Sequence, residues 1–257
     1  MKKIFSLTLV FVVMFSGLRA HVDGEPMSQY SLKYVLKKDG NIVETKTLPI
    51  PAIENEYTPL LKPENQWNEV FKNISLSPEY QYQKTSITKI GDDTLIDGVS
   101  YYKLLTTKDS LASIRLNNGY IREEAESRKV YYRHANNPEV LLYDFSLKVG
   151  DTIQSYDFLN KRDVIIEVKS ISEVLVGSKL LKQINVSSRY LNVENGNAGN
   201  QEHTWIEGIG NIDGFLRGTV ANYSPGGEQV FLLCFFQNEK LLYKPEDTGI
   251  VECFIWK

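Results

Sequence analysis

Short runs rich in apolar, β-branched and aromatic residues recur through most of the chain, and polar turn residues interrupt them at short intervals. The clearest stretch is 120–153, YIREEAESRKVYYRHANNPEVLLYDFSLKVGDTI. It holds three short runs, 120–123, 129–133 and 140–145, separated by a charged bend at 124–128 and an Asn136-Asn137-Pro138 turn. A corner at Val149-Gly150-Asp151 closes it. Runs of this length, rich in β-branched and aromatic residues and bounded by Gly, Asn, Asp or Pro, predict an antiparallel meander.

The same grammar extends in both directions. Residues 30–50 read as a hairpin turning at Asp39-Gly40, where glycine accepts positive φ without steric cost. Pro49 and, within the 51–65 connector, Pro51, Pro59 and Pro63 punctuate a segment that reads as edge or loop, since proline offers no amide proton to a central ladder. Residues 66–74 carry Trp67, Val70, Phe71 and Ile74 at helical spacing. Nine residues are marginal for a helix in β surroundings, and the reading leans to strand. Strands follow at 82–90 and 99–105 across Asp97-Gly98, and 114–116 is expected to turn at Asn117-Asn118-Gly119 into the central stretch. Residues 164–171 pair with 180–186, a loose loop spans 194–201, and 204–207 is a short strand. A last hairpin joins 230–236 to 241–243. The expected fold is therefore all-β: about eleven or more antiparallel strands in a meander forming a sandwich or partly closed barrel.

The first 20 residues read differently. Lys2 and Lys3 precede an apolar run over 4–18, and small residues lead to Ala20, as in a cleaved signal peptide. The run is short for a membrane span. The mature domain is then 21–257, a single β-rich domain that includes the hairpin and the proline-rich connector. No later segment is apolar enough to cross a bilayer as a helix, and the expected location is secreted, periplasmic or cell envelope. Losing Lys2, Lys3 and Arg19 takes the formal charge from −3 to −6, which argues against nucleic acid as a partner. In an exported chain the two cysteines, Cys234 and Cys253, are expected to pair.

Candidate chemistry is sparse. Gly208, Gly210, Gly214 and Gly218 are spaced GxGxxxG with no helix after them, so they read as corners rather than a phosphate loop. Asp92, Asp93 and Asp97 suit a hairpin turn better than a calcium loop. His21 is terminal, and His134 and His203 fall in apparent loops without zinc spacing. No GxSxG elbow occurs. No cofactor and no metal are expected. Glu123, Glu124, Glu126 and Glu207 are the carboxylates from which a glycan hydrolase would have to draw its pair. Fifteen tyrosines stand out, and the doublet Tyr131-Tyr132 sends one ring inward and one outward, making these two the candidate ligand-binding residues.

Four phrases carry a resemblance: IGDD (90–93) with DGVSYYKL (97–104), LLYDFSLKVGDT (141–152), WIEGIG (205–210), and LLCF (232–235) with Cys253. Together they resemble a family of uncharacterised secreted proteins of Bacteroidetes, often found ahead of a type IX secretion sorting domain. The resemblance covers roughly 65–253 and implies an extracellular or surface β-rich module. The chain ends at Lys257 without such a sorting domain. The functional expectation is an exported, non-catalytic module binding a glycan or a protein. The alternatives are a carboxylate-dependent glycan hydrolase and a carrier of an apolar ligand in a partly open barrel.

Overall fold

The computed structural model describes residues 7–12, 31–38, 41–49, 56–73, 82–108, 116–158, 160–191, 201–217, 228–245 and 250–256, with side chains from 56 onward except at 228. The chain divides into two compact units, Met1–Glu56 and Tyr57–Lys257. In the first, β1 (Leu7–Val12), β2 (Ser31–Lys38) and β3 (Asn41–Pro49) form an antiparallel sheet in that order. The hairpin expected at 30–50 is thus β2 and β3, and its Asp39-Gly40 turn lies outside the described residues.

The second unit begins within the proline-rich connector. Its strands are β4 (Asn65–Asn73), β5 (Tyr82–Ile96), β6 (Val99–Thr107), β7 (Leu116–Glu124), β8 (Lys129–Arg133), β9 (Val140–Asp144), β10 (Thr152–Asp157), β11 (Arg162–Val176), β12 (Lys179–Tyr190), β13 (Gln201–Ile206), β14 (Gly210–Asn211), β15 (Glu228–Gln237) and β16 (Lys240–Tyr243). They form an eight-stranded sheet, β16-β15-β4-β5-β6-β7-β8-β9, and a five-stranded sheet, β10-β11-β12-β13-β14. Both sheets are antiparallel and curl into half-barrels, and no helix occurs among the described residues. The all-β expectation holds.

Alternation decides what faces inward. In β8, Val130 and Tyr132 are buried while Lys129, Tyr131 and Arg133 are not. The register sets Ile121 opposite Tyr132, so strands β7 and β8 bury the same face. From the other sheet come Val164, Ile166, Ile184, Val186 and Trp205. Trp67, Trp205, Tyr132, Tyr143, Phe145 and Phe215 are the largest wholly buried side chains. Trp67 lies 4.3 Å from Phe215, and Tyr143 meets Trp205 edge-on at 5.3 Å. The half-barrels are stitched along two seams. Ser155 Oγ donates to the Leu141 carbonyl at 2.6 Å, and the Gly177 amide donates to the Leu242 carbonyl at 3.0 Å.

Two expectations need correction. Asn117-Asn118-Gly119 does not turn the chain: β7 runs through it as a bulge, with a register shift opposite Lys103 and Leu105. Asn117 Oδ1 accepts the Gly119 amide at 3.0 Å, and Gly119 has φ +119°. A Cβ there would lie 2.7 Å from the Arg133 carbonyl, so the glycine admits the neighbouring strand. His203 is not in a loop but within β13, opposite Val186. The 66–74 segment is a strand, β4, as far as it is described.

Cys234 and Cys253 form a disulfide, with 19 residues of separation. Cys234 is in β15, and the 250–256 tail crosses the sheet face opposite the main core. There Leu233, Cys234 and Ile255 make a second small apolar cluster. The tail is held by Asn68 Nδ2 on the Cys253 carbonyl (2.8 Å), by the Thr85 amide on the Ile255 carbonyl (2.9 Å), and by the Ile255 amide on Thr85 Oγ1 (2.8 Å).

Candidate functional site

Residues 57–61, Tyr-Thr-Pro-Leu-Leu, form a strap held by two glutamates, one from each sheet. Glu123 occupies an inward position near the end of β7, two residues beyond Ile121. Glu207 directly follows β13 and is fixed by its amide on the Lys182 carbonyl at 2.9 Å. Glu207 Oε1 accepts the Thr58 amide at 2.7 Å. Glu123 Oε1 accepts the Leu60 amide at 2.8 Å and the Tyr57 hydroxyl at 2.6 Å, and its Oε2 accepts the Leu61 amide at 2.9 Å. Pro59 has no amide proton, so each N–H between 58 and 61 ends on a carboxylate. Leu60 is fully buried in the main core.

The electrostatics follow from this packing. Burial raises the Glu207 carboxyl, the Glu123 charge adds to the shift, and the Thr58 amide, Arg128 and Lys182 oppose it. Burial, then the Glu123 charge, pushes the Tyr57 hydroxyl far above its ordinary value. Burial lowers the Lys182 ammonium, which donates to the carbonyls of Phe145 (2.8 Å) and Leu147 (2.9 Å). The Arg128 guanidinium stands 5.7 Å from the Tyr57 ring. Gly208 makes room for the strap: it has φ +77°, and a Cβ on it would meet the Thr58 methyl at 2.8 Å.

The loop 207–217 is tied down from below by buried polar groups. Trp67 Nε1 donates to the Ile209 carbonyl at 2.7 Å, and Glu69 Oε1 accepts the Phe215 amide at 2.6 Å. Tyr143 Oη donates to the Phe215 carbonyl and accepts the Asn211 amide, the latter at 3.1 Å. Burial raises the Glu69 carboxyl and the Tyr143 hydroxyl. Within this loop Gly208, Gly210 and Gly214 all carry positive φ. They are corners, as expected, and Gly218 lies outside the described residues.

Beside this loop, Ser188 Oγ lies 3.0 Å from His203 Nε2, and His203 Nδ1 lies 3.9 Å from Asp213 Oδ2. The order resembles a serine triad, but Ser188 and His203 are each 2 % exposed. Burial, aided by the Arg217 charge, holds the imidazole down to about 4. A nucleophile so enclosed meets no acyl group, and the arrangement is a core polar pair.

Of the four carboxylates singled out in the sequence, Glu123 and Glu207 meet on the strap. Glu124 instead pairs with Arg122 at 2.5 Å and accepts from Ser127, and Glu126 is exposed. Tyr132 is buried and its hydroxyl donates to the Asn118 carbonyl. Tyr131 is half-buried with the Arg122 guanidinium 4.0 Å above its ring, and Glu139 grips that guanidinium at 2.6 and 2.7 Å. Asp92, Asp93 and Asp97 lie exposed at the β5–β6 hairpin. The strap was not legible as a site residue by residue. Its one signal is a Leu-Leu pair inside a proline-rich connector. The chain matches no family model, no curated protein and no solved structure.

Proposed function

We propose that the chain is an exported, non-catalytic module of the envelope or extracellular space that binds a glycan or a protein. One observation carries the non-catalytic part: the oxygens of Glu123, and Oε1 of Glu207, are taken up by the strap's own amides and hydroxyl. A hydrolytic pair needs one carboxyl facing a glycosidic oxygen and the other a water or an anomeric carbon. The Cys234–Cys253 disulfide supports export. Among the described residues no helix is long and apolar enough to cross a membrane, which is compatible with it. The signal peptide over 1–20, whose removal would take β1 away and leave β2 and β3 as the paired strands of the first unit, and the Bacteroidetes lineage belong to the same proposal.

The hydrolase remains the second reading, because Glu123 and Glu207 reach one segment from two different sheets. The carrier reading is weakened by the aromatic side chains that fill the space between the sheets. The test is retention of the purified chain on a panel of polysaccharides, with released reducing ends assayed in the same wells. Binding without release is expected. Release that disappears in Glu207→Gln would establish the hydrolase instead. Retention of no glycan would leave a protein as the ligand.

A further inference from the structure

We infer that Phe71, Tyr82, Lys84 and Trp256 form a subsite for an acidic sugar ring, a uronate unit of a glycan chain. The inference rests on the binding-module reading and gives it a place and a ligand chemistry. Phe71 lies opposite Lys84 in the β4–β5 ladder, and Lys84 lies opposite Trp256 in an antiparallel bridge beyond the end of β6. Directly opposed residues share a face, and Tyr82 shares it two residues from Lys84. This is the face that carries Trp67 and Glu69 into the core, at the end where it emerges to solvent. The Lys84 ammonium stands 5.0 Å from the Tyr82 ring centre and 5.2 Å from that of Trp256.

Trp256 is 56 % exposed. Packing alone does not account for a residue held so firmly yet left so wet. The disulfide at Cys253, the two bonds between Ile255 and Thr85, and the burial of Ile255 all fix the backbone that presents it. An aromatic surface ordered in advance loses little entropy on binding. Sugar rings have a C–H face that lies on aromatic rings, and their hydroxyls and carboxylates accept hydrogen bonds from a cation. A lysine between two rings sets one charged donor at the centre of an apolar patch, and the complement of that pattern is a ring bearing a carboxylate.

The test uses the whole chain with hexagalacturonate and, as its neutral counterpart, maltohexaose. Trp67 and Trp205 are buried, so acrylamide quenching of tryptophan fluorescence reports on Trp256. Hexagalacturonate is expected to protect against quenching, and maltohexaose to bind about tenfold more weakly by calorimetry. Trp256→Ala and Lys84→Ala should each weaken hexagalacturonate by about tenfold or more, whereas Trp256→Phe, which keeps a ring, should stay within about threefold. Unchanged affinity in Trp256→Ala and Lys84→Ala overturns the subsite, as does equal protection by maltohexaose. If Tyr131→Ala alone abolishes binding, the module reading stands and this site falls. If the parent chain binds neither oligosaccharide, the subsite falls while a protein ligand remains open to the module reading.

Discussion

Replacing Glu123 by alanine should destabilise the second unit severely, although in sequence Glu123 is only one of several glutamates beside a charged bend. The substitution removes the acceptor for the Leu60 amide, the Leu61 amide and the Tyr57 hydroxyl together. Each donor left without a partner in a buried setting costs about 1–3 kcal/mol. Water reaches part of the space, and the three losses are not additive, so the expected total is about 3–5 kcal/mol. That is a large share of the roughly 5–15 kcal/mol that holds a typical domain folded. With a urea m-value of about 2 kcal/mol/M, the midpoint should fall by roughly 2 M. The control is Glu124→Ala, one residue on. Its carboxylate is exposed and paired with Arg122, and its loss should cost no more than about 1 kcal/mol. Glu123→Gln should fall between, since its carbonyl still accepts Tyr57 and Leu60 while its amide opposes Leu61. Equilibrium urea unfolding followed by tryptophan fluorescence measures all three. A Glu123→Ala midpoint within about 0.3 M of the parent would refute the clamp.

Three further outcomes follow from the same geometry. Gly208→Ala should cost about 2–4 kcal/mol, because φ +77° is unfavourable for alanine and the new methyl meets Thr58. Gly98→Ala, with φ +81° and open space, should cost only about 1–2 kcal/mol, and thermal melts of the pair would separate contact from backbone strain. Reducing Cys234–Cys253 should remove about 3 kcal/mol, the loop-entropy value for this separation. Alkylation without reductant should add no label in an intact-mass measurement, and two labels would disprove the bridge. His203 has its folded value lowered to about 4 from an unfolded 6.5, so the unfolded chain binds more protons between those values and stability falls as pH drops through them. The parent should lose roughly 2 kcal/mol more than His203→Gln between pH 7 and pH 4.5. The raised carboxyls of Glu69, Glu207 and Asp213 act in the opposite direction in both proteins, and parallel stability curves would contradict the assignment.

Local physics made the strands readable in the sequence. Runs rich in β-branched and aromatic residues between turn signals marked β5, β6, β8 and β9, because each such strand packs its side chains on a pleated sheet surface, whereas β4 carried helical spacing and β7 was expected to break at its bulge. Asp97-Gly98 marked its hairpin, because both residues take positive φ there and glycine does so freely. The cysteine pair was legible from the expected compartment. The same local chemistry misled at Asn117-Asn118-Gly119, since a side-chain cap and a positive-φ glycine serve a bulge as readily as a turn. Nothing local distinguished His203 in a strand from His203 in a loop.

The candidate site belongs to the tertiary structure. Glu123 and Glu207 are 84 residues apart, and what unites them is a strap from a third place in the chain, visible in sequence only as a proline-rich connector. Trp256 is a terminal aromatic until the tail is pinned across β4 and β5 to bring it beside Lys84. Tyr131 and Tyr132 look alike in sequence. The strand's alternation sends one inward and one outward, and only the packed sheets decide that the outward ring lies under Arg122. The sequence determined that the chain forms antiparallel strands, because strand formation depends on short-range periodicity. Long-range contacts alone decided which carboxylates are occupied and which aromatic ring is left in water.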